Sequence, residues 1–230
     1  MSYDEAMNFS LTDNGQEVKN SVQNNLDSLV EEQNAILGQE LCVNETPLWG
    51  GYIYYDYAEP RIVETNYGDF VTDAFLENAN IFADRLNMDI PVIAVENGGG
   101  ISSALPVGTV TKGDVLNAFN HGNMVEVLKI TPAQLYSAIE AGLVTTGQDD
   151  TGLLLRERVS GSFLQVAGFT YKYDPAGESG SKITSVMLDD GTQLDRDDTT
   201  TNILVATNNY VAASAFGDAE KLGELGGEDL

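Results

Sequence analysis

Three consecutive glycines, Gly98, Gly99 and Gly100, follow a short apolar segment and are the residues most suggestive of a binding site. The preceding residues 90–95 are apolar and end at these glycines, which predicts a buried strand. Glycine adopts a positive φ angle without strain and lets another group approach the backbone closely. We therefore expect the strand to end at a site that includes Asn97 and the three glycines. Neither a G-x-G-x-x-G nor a G-K-S/T phosphate-binding signature follows them.

The chain is strongly acidic, with 36 Asp and Glu residues against 11 Lys and Arg residues and a formal net charge of −25. Such a charge repels polyanions, so the composition argues against a nucleic-acid partner. It also draws attention to the few cationic side chains, because a phosphate ligand would need them nearby. No apolar run reaches the length of a membrane span, so we expect no membrane-spanning segment in this chain.

One cysteine and one histidine limit the chemistry of this chain. A single histidine without a spaced carboxylate cluster cannot assemble a two-metal hydrolytic centre. We therefore expect neither a metal site, nor a cofactor, nor a catalytic residue in this chain. The cysteine, Cys42, lies between Leu41 and Val43, which predicts a small buried apolar side chain.

The apolar periodicity predicts helices and strands that alternate at first and hairpins later in the chain. Predicted helices cover residues 14–39, 65–86, 111–119 and 131–143. Predicted strands cover residues 90–95, 124–130, 163–173, 183–188 and 203–207, with a turn at 189–191 and an aromatic loop at 50–57. This order indicates an α/β (α+β) fold with a large mixed β-sheet and packed helices. We expect one domain over residues 1–230, with residues 1–13 as a linker or interdomain segment.

Several blocks of sequence resemble, in order and spacing, the C-terminal, substrate-binding domain of the 5'-nucleotidase family. That family also includes UDP-sugar hydrolases and 2',3'-cyclic-nucleotide phosphodiesterases. The blocks are residues 61–75, 95–101, 113–123, 128–135, 163–168 and 205–210. The resemblance covers about residues 15–230, and it implies the same α/β fold with a large mixed sheet.

The resemblance also implies a role for individual side chains. In the family, two aromatic rings sandwich the nucleobase, while arginine and asparagine side chains hold polar groups. Tyr210 matches one ring, although a half-buried tyrosine at a strand end is an equally ordinary interpretation. His121 takes the position of the other ring, and Asn123 that of an asparagine that contacts the base. Arg61 matches an arginine that precedes the Glu-Thr-Asn block, and Asp218 is a candidate for the ribose hydroxyls.

Two arginines of the family pattern are missing here, since their positions are taken by Ser102 and Tyr57. Each lost guanidinium removes charge-assisted hydrogen bonds worth roughly 1.5–3 kcal/mol. Three hypotheses therefore stay open. The chain recognises a nucleoside or nucleotide for a 5'-nucleotidase-like hydrolase, or it serves a related hydrolase of cyclic nucleotides or nucleotide sugars. Alternatively, it is a non-catalytic cell-surface binding module that has retained the fold and lost phosphate recognition.

The first hypothesis requires a partner domain. The resemblance implies an N-terminal metallophosphoesterase domain in the same polypeptide, with two divalent metal ions and the catalytic groups, and nothing in this chain matches it. The chain alone is then expected to be inactive. The resemblance places the parent hydrolase outside the cell, on the cell wall or in the periplasm.

Overall fold

The fold was derived from a computed structural model that describes residues 13–50, 52–53, 57–152 and 160–226. Five helices lie within these ranges: α1 (Asp13–Leu37), α2 (Asn66–Arg85), α3 (Lys112–Ala118), α4 (Pro132–Leu143) and α5 (Asn209–Ala215). The strands are β1 (Glu40–Asn44), β2 (Tyr52–Ile53), β3 (Tyr57–Ala58), β4 (Val92–Asn97), β5 (Gly108–Thr111), β6 (Val125–Ile130), β7 (Leu164–Ala167), β8 (Phe169–Tyr173), β9 (Ile183–Leu188), β10 (Ile203–Asn208) and β11 (Glu220–Leu225).

A five-stranded mixed sheet in the order β11-β6-β10-β4-β7 forms the centre of the fold. The neighbours β10 and β4 are parallel, whereas the other neighbouring strands are antiparallel. Alternate side chains of a strand point to opposite faces, and β4 shows this clearly. Ile93 and Val95 pack towards α4, while Ala94 packs against Ala79 and Ala83 of α2. The structure thus confirms the predicted mixed sheet with helices packed against it.

Capping side chains explain where three of the helices begin. The Thr65 hydroxyl accepts a hydrogen bond from the Gly68 amide and starts α2. Thr111 and Thr131 start α3 and α4 through capping boxes, in which the hydroxyl and an acidic or amide side chain satisfy free backbone amides reciprocally. These starts confirm the helices predicted from the sequence.

One prediction in the second half of the chain is wrong. Residues 163–173 do not form one strand, because the chain turns sharply at Gly168, where φ is +83°. A Cβ atom at this glycine would lie only 2.8 Å from the Val92 carbonyl oxygen. The turn leaves β7 in the main sheet and sends β8 to pair with β9. The predicted turn after β9 is confirmed, with Gly191 at a φ of +88°.

The N-terminal part of the chain corrects the prediction for Cys42. This cysteine is exposed, because β1 pairs only with β5 in a two-stranded ribbon. Helix α1 forms as predicted, but its apolar stripe is not covered: Val18 is 65% and Leu29 61% exposed. No helix of the described ranges is both long enough and apolar enough to cross a membrane.

Parts of two predicted segments lie outside the described residues. The predicted linker falls almost entirely in residues 1–12, and the predicted aromatic loop includes residues 51 and 54–56. Of that loop, β2 and β3 are seen as a short antiparallel pair. The side chain of Tyr57, which occupies one of the missing arginine positions, is also outside the description.

Candidate functional site

The three glycines form a tight 3₁₀ turn directly after β4. Their φ angles are not positive, so glycine is not required here for its conformational freedom. It is required because neighbouring groups approach the backbone too closely for a side chain. A Cβ atom on Gly98 would lie 1.9 Å from the Pro60 carbonyl oxygen, and one on Gly100 would lie 1.9 Å from Oε1 of Glu96. The turn therefore accepts no side chain at these two positions without moving its neighbours.

A buried network of hydrogen-bonded polar side chains holds the glycine turn in place. The Asn208 Nδ2 group donates to Oε1 of Glu96 and to Oδ1 of Asn97, both at 2.8 Å. The Asn97 Nδ2 group donates in turn to the Gly161 carbonyl at 2.8 Å. Oδ1 of Asn208 accepts from the Val211 amide and caps α5. The network thus ties together the ends of β4 and β10 and the segment before β7.

Glu96 is the ionisable member of this network. Its side chain is 2% exposed, and burial raises its pKa to about 8, although the hydrogen bond from Asn208 acts in the opposite direction. The carboxyl group is therefore mostly protonated at neutral pH, because a carboxylate without a nearby cation is costly to bury. A neutral carboxyl can donate a hydrogen bond as well as accept one.

Arg61 is positioned by a second buried hub. Gln165 donates from Nε2 to the carbonyl oxygens of Pro60 and Val63, both at 2.8 Å, and accepts from the Thr65 amide at 2.9 Å. These bonds clamp the 3₁₀ turn Glu59–Arg61 against β7. Gln165 is a positioning residue that the sequence analysis missed, and a glutamine within an apolar strand was its only signal.

His121 and Tyr210 are brought together by bonds between their neighbours. The Asn209 amide donates to the Met124 carbonyl at 2.8 Å, and the Met124 amide donates to Oδ1 of Asn209 at 3.2 Å. The loop with His121 therefore abuts the start of α5, which carries Tyr210. The Ser102 hydroxyl also holds this loop by donating to Oδ1 of Asn120 at 3.0 Å.

These elements enclose a polar cavity of about 600 Å³. Its lining residues are Arg61, Asn97, Gly99, Gly100, His121, Asn123, Gly161, Ser162 and Tyr210. Seven of the nine residues predicted for the site thus lie around one cavity. Gly98 is buried beneath it, and Asp218 is exposed on the turn after α5; neither lines the cavity. Gly161 and Ser162 were missed, and small residues just before a buried strand were their signal.

A second, mostly apolar pocket of about 320 Å³ adjoins the polar cavity. The two share Gly100, His121 and Asn123 as lining residues. Its walls come from the first half of α2, from Leu105 and from α3 and the residue after it, while Glu96 and Asn208 contribute polar groups. No local pattern in the sequence indicates this pocket.

Metal ligands do not cluster in the part of the chain that the structure describes. No group of three or more His, Cys, Asp or Glu side chains lies close enough together there to hold a metal ion. The lining residues of the polar cavity offer one cation, Arg61, and no carboxylate. The cavity is therefore suited to holding an uncharged or anionic polar ligand.

Comparison with known proteins identifies the family of this domain. The model of a family described as "5'-nucleotidase, C-terminal domain" matches residues 51–221. The chain therefore belongs to the 5'-nucleotidase C-terminal domain family, which confirms the resemblance seen in the sequence.

Relatives and solved structures agree with this assignment. The chain is 33% identical over 174 residues to the trifunctional nucleotide phosphoesterase protein YfkN of Bacillus subtilis; the match covers 74% of the chain and 11% of that protein. It is 25% identical over 129 residues to the 5'-nucleotidase of Bos taurus, covering 55% of the chain and 21% of the relative. The crystal structure of a 5'-nucleotidase precursor from Thermus thermophilus superposes with a TM-score of 0.65 at 24% identity.

The last comparison shows the fold alone, over 87% of the chain and 37% of the other structure. The chain thus spans from about a tenth to less than two fifths of the length of these relatives.

Proposed function

We propose that this chain is the substrate-recognition domain of a larger phosphoester hydrolase, and that its polar cavity binds a nucleoside or nucleotide. The observation that carries the proposal is the common cavity of Arg61, Asn97, His121, Asn123 and Tyr210. These residues come from four separate parts of the chain, and the bonds of Gln165, Asn208 and Asn209 bring them together.

In this proposal the base is held between the rings of His121 and Tyr210. Tyr210 is 56% exposed, so its ring has a free surface on which a flat ligand can stack. Stacking of a base on an aromatic side chain contributes roughly 1–3 kcal/mol. The amide of Asn123, beside His121, supplies a donor and an acceptor for the edge of the base.

The phosphate is held more weakly than the base. Arg61 offers a planar guanidinium that matches phosphate oxygens. Ser102, in contrast, uses its hydroxyl to hold the loop of His121 through Asn120, and it is not among the lining residues. We therefore expect the domain to bind adenosine and AMP with similar affinity.

Hydrolysis belongs to a partner domain in this proposal. An N-terminal metallophosphoesterase domain of the same polypeptide would supply two divalent metal ions and the attacking water, and this chain alone would be inactive. The relatives named as 5'-nucleotidases support such a parent protein. We place the parent outside the cell, on the wall or in the periplasm.

Calorimetric titration of the chain with adenosine tests the proposal. We expect a dissociation constant on the order of 1 mM, which corresponds to a binding free energy of about −4 kcal/mol. His121→Ala and Tyr210→Ala should each weaken binding about tenfold. Trp49→Ala, which removes an exposed aromatic side chain outside the cavity, should leave the affinity unchanged. Absence of binding at about 10 mM adenosine, roughly tenfold above the expected dissociation constant, would contradict the proposal.

A non-catalytic binding module is the second candidate, and the structural use of Ser102 favours it. The two candidates differ in the parent protein. Hydrolysis of AMP by the full-length protein with added divalent metal supports the enzyme. Binding of adenosine by a full-length protein that hydrolyses neither AMP, cyclic nucleotides nor UDP-sugars supports the module.

A further inference from the structure

The pocket beside the polar cavity is shaped for an apolar ring. Its volume of about 320 Å³ lies within the range of small-molecule sites. Phe70, Val71, Ala74 and Phe75 of α2 form one wall, and Val115 and Phe119 lie on another. Phe70 is 58% exposed, so its ring offers apolar surface to a ligand.

Tyr67 gives a second and independent indication of a ligand. This tyrosine lines the pocket and is 1% exposed, but its hydroxyl has no hydrogen-bond partner among the described residues. Buried hydroxyl groups without partners are rare in folded proteins, because the lost hydrogen bond with water is not replaced. Asp114, whose charge helps to raise the pKa of this hydroxyl, is itself engaged with Thr111 in the capping box of α3. A ligand atom that accepted a hydrogen bond from this hydroxyl would satisfy it.

The charge in the pocket restricts the ligand further. Glu96 is the carboxyl group among the lining residues, and it is bonded by Asn208 rather than by a cation. Burial favours its neutral form, so the pocket holds no fixed charge for an ionic ligand to pair with. An uncharged ligand fits these surroundings.

We propose that this pocket is a second ligand subsite, which takes a flat, uncharged, mostly apolar ring that carries a hydrogen-bond acceptor. The pocket meets the polar cavity at Gly100, His121 and Asn123. Its occupant is therefore a ring substituent of the molecule whose polar part lies in the cavity. This last step rests on the proposed function, whereas the ring subsite itself does not.

A pair of bicyclic compounds of the same shape tests the subsite. Quinoline carries a ring nitrogen that accepts a hydrogen bond and is uncharged at pH 7, whereas naphthalene has no acceptor. In amide-detected NMR titrations of the chain, we expect quinoline to shift the signals of Tyr67, Val71 and Val115. Naphthalene should bind at least about fivefold more weakly than quinoline, since it leaves the Tyr67 hydroxyl unsatisfied. Quinoline shifts confined to other regions would overturn the proposal.

Three variants separate the pocket from nonspecific binding. Ala74→Trp fills the mouth of the pocket from an exposed helical position and should weaken quinoline binding about tenfold or more. Asn78→Trp lies one helical turn further along and outside the pocket, so the affinity for quinoline should stay within about twofold of wild type. Tyr67→Phe should remove the difference between quinoline and naphthalene. Equal binding by wild type and Ala74→Trp, or an undiminished difference in Tyr67→Phe, would overturn the subsite.

Adenosine and quinoline together test whether the two sites serve one ligand. With both compounds bound, magnetisation transfer between their protons should be observed, because the sites share three lining residues. Simultaneous binding without this transfer would overturn the single-ligand step. Quinoline binding without adenosine binding would overturn the proposed function and leave the ring subsite intact. Adenosine binding without quinoline binding would overturn the ring subsite and leave the proposed function intact.

Discussion

The floor and the rim of the polar cavity differ in how the chain holds them. The floor comprises the lining residues Asn97, Gly99 and Gly100 and the buried residues Glu96, Gly98 and Asn208 that hold them in place. It is almost wholly buried and is joined by side-chain hydrogen bonds. The rim, which consists of Arg61, His121, Asn123 and Tyr210, is mostly exposed and is placed by bonds of neighbouring residues. Folding therefore fixes the floor, while the rim keeps free surface for a ligand. Substitutions in the floor should change stability, and substitutions at the rim should change affinity.

Gly98→Ala should have the largest effect. Its Cβ atom would lie 1.9 Å from the Pro60 carbonyl oxygen, which is backbone and cannot rotate away. We expect a loss of about 4 kcal/mol or more in the free energy of unfolding, measured in urea. Gly161→Ala is the matched control: its Cβ atom would lie 3.3 Å from a flexible Arg61 nitrogen, and the loss should stay below about 1 kcal/mol. Similar losses in both variants would contradict the described turn.

Glu96→Gln should have a pH-dependent effect of nearly the same size. The unfolded chain ionises Glu96 near its ordinary pKa of 4.5, and the folded chain near 8. Unfolding therefore releases a proton between these values, and wild-type stability falls as the pH rises through this window. A glutamine can accept the same bond from Asn208 without ionising. The variant should thus gain about 3 kcal/mol relative to wild type between pH 5 and pH 8.

The difference between the two proteins isolates Glu96, since the other acidic residues are common to both. Tyr67 and His121, the other titratable groups of the adjoining pocket, are unchanged as well. If the difference in the free energy of unfolding between the two proteins did not change with pH, Glu96 would be ionised in the folded protein.

Gln165→Ala should cost less than the glycine substitution. It leaves the Thr65 amide and the carbonyl oxygens of Pro60 and Val63 without their partner. We expect a loss of about 2–3 kcal/mol in the free energy of unfolding in urea, because these buried backbone groups lose their partner. Gln148→Ala, at an exposed position, should change stability by less than about 0.5 kcal/mol. An equal effect of both substitutions would show that Gln165 is not a hub.

Tyr210→Ala should have the smallest effect on stability and thus marks the rim. The side chain is 56% exposed, so the free energy of unfolding should change by less than about 0.5 kcal/mol. Thermal and urea unfolding would measure this on the protein used for adenosine titration. A large loss of stability would place Tyr210 in the floor and remove the distinction between the two regions.

The sequence predicted elements whose signals are local. The stripe of α2 and its cap at Thr65 lie within one segment, as do the Thr131-Pro132 start of α4 and the glycine of the turn after β9. The order of the family blocks also led to seven residues of one cavity.

What the sequence could not show depends on contacts between distant segments. Asn208 meets Glu96 across 112 positions, and Gln165 meets Pro60 across 105 positions. Cys42 was expected to be buried because its neighbours are apolar, but only the tertiary structure shows that β1 pairs with β5 alone among the described strands and leaves this cysteine exposed. Gly168 was read as part of a strand, since its close approach to Val92 is not visible in the local pattern.

The proton NMR spectrum of adenosine bound to this chain tests directly whether His121 and Tyr210 stack on a base. A base held between the rings of His121 and Tyr210 experiences the ring currents of both. We predict that the H2 and H8 protons of adenine move upfield on binding, and that Tyr210→Ala and His121→Ala each reduce this movement. Binding without any upfield shift, or shifts unchanged in both variants, would contradict it.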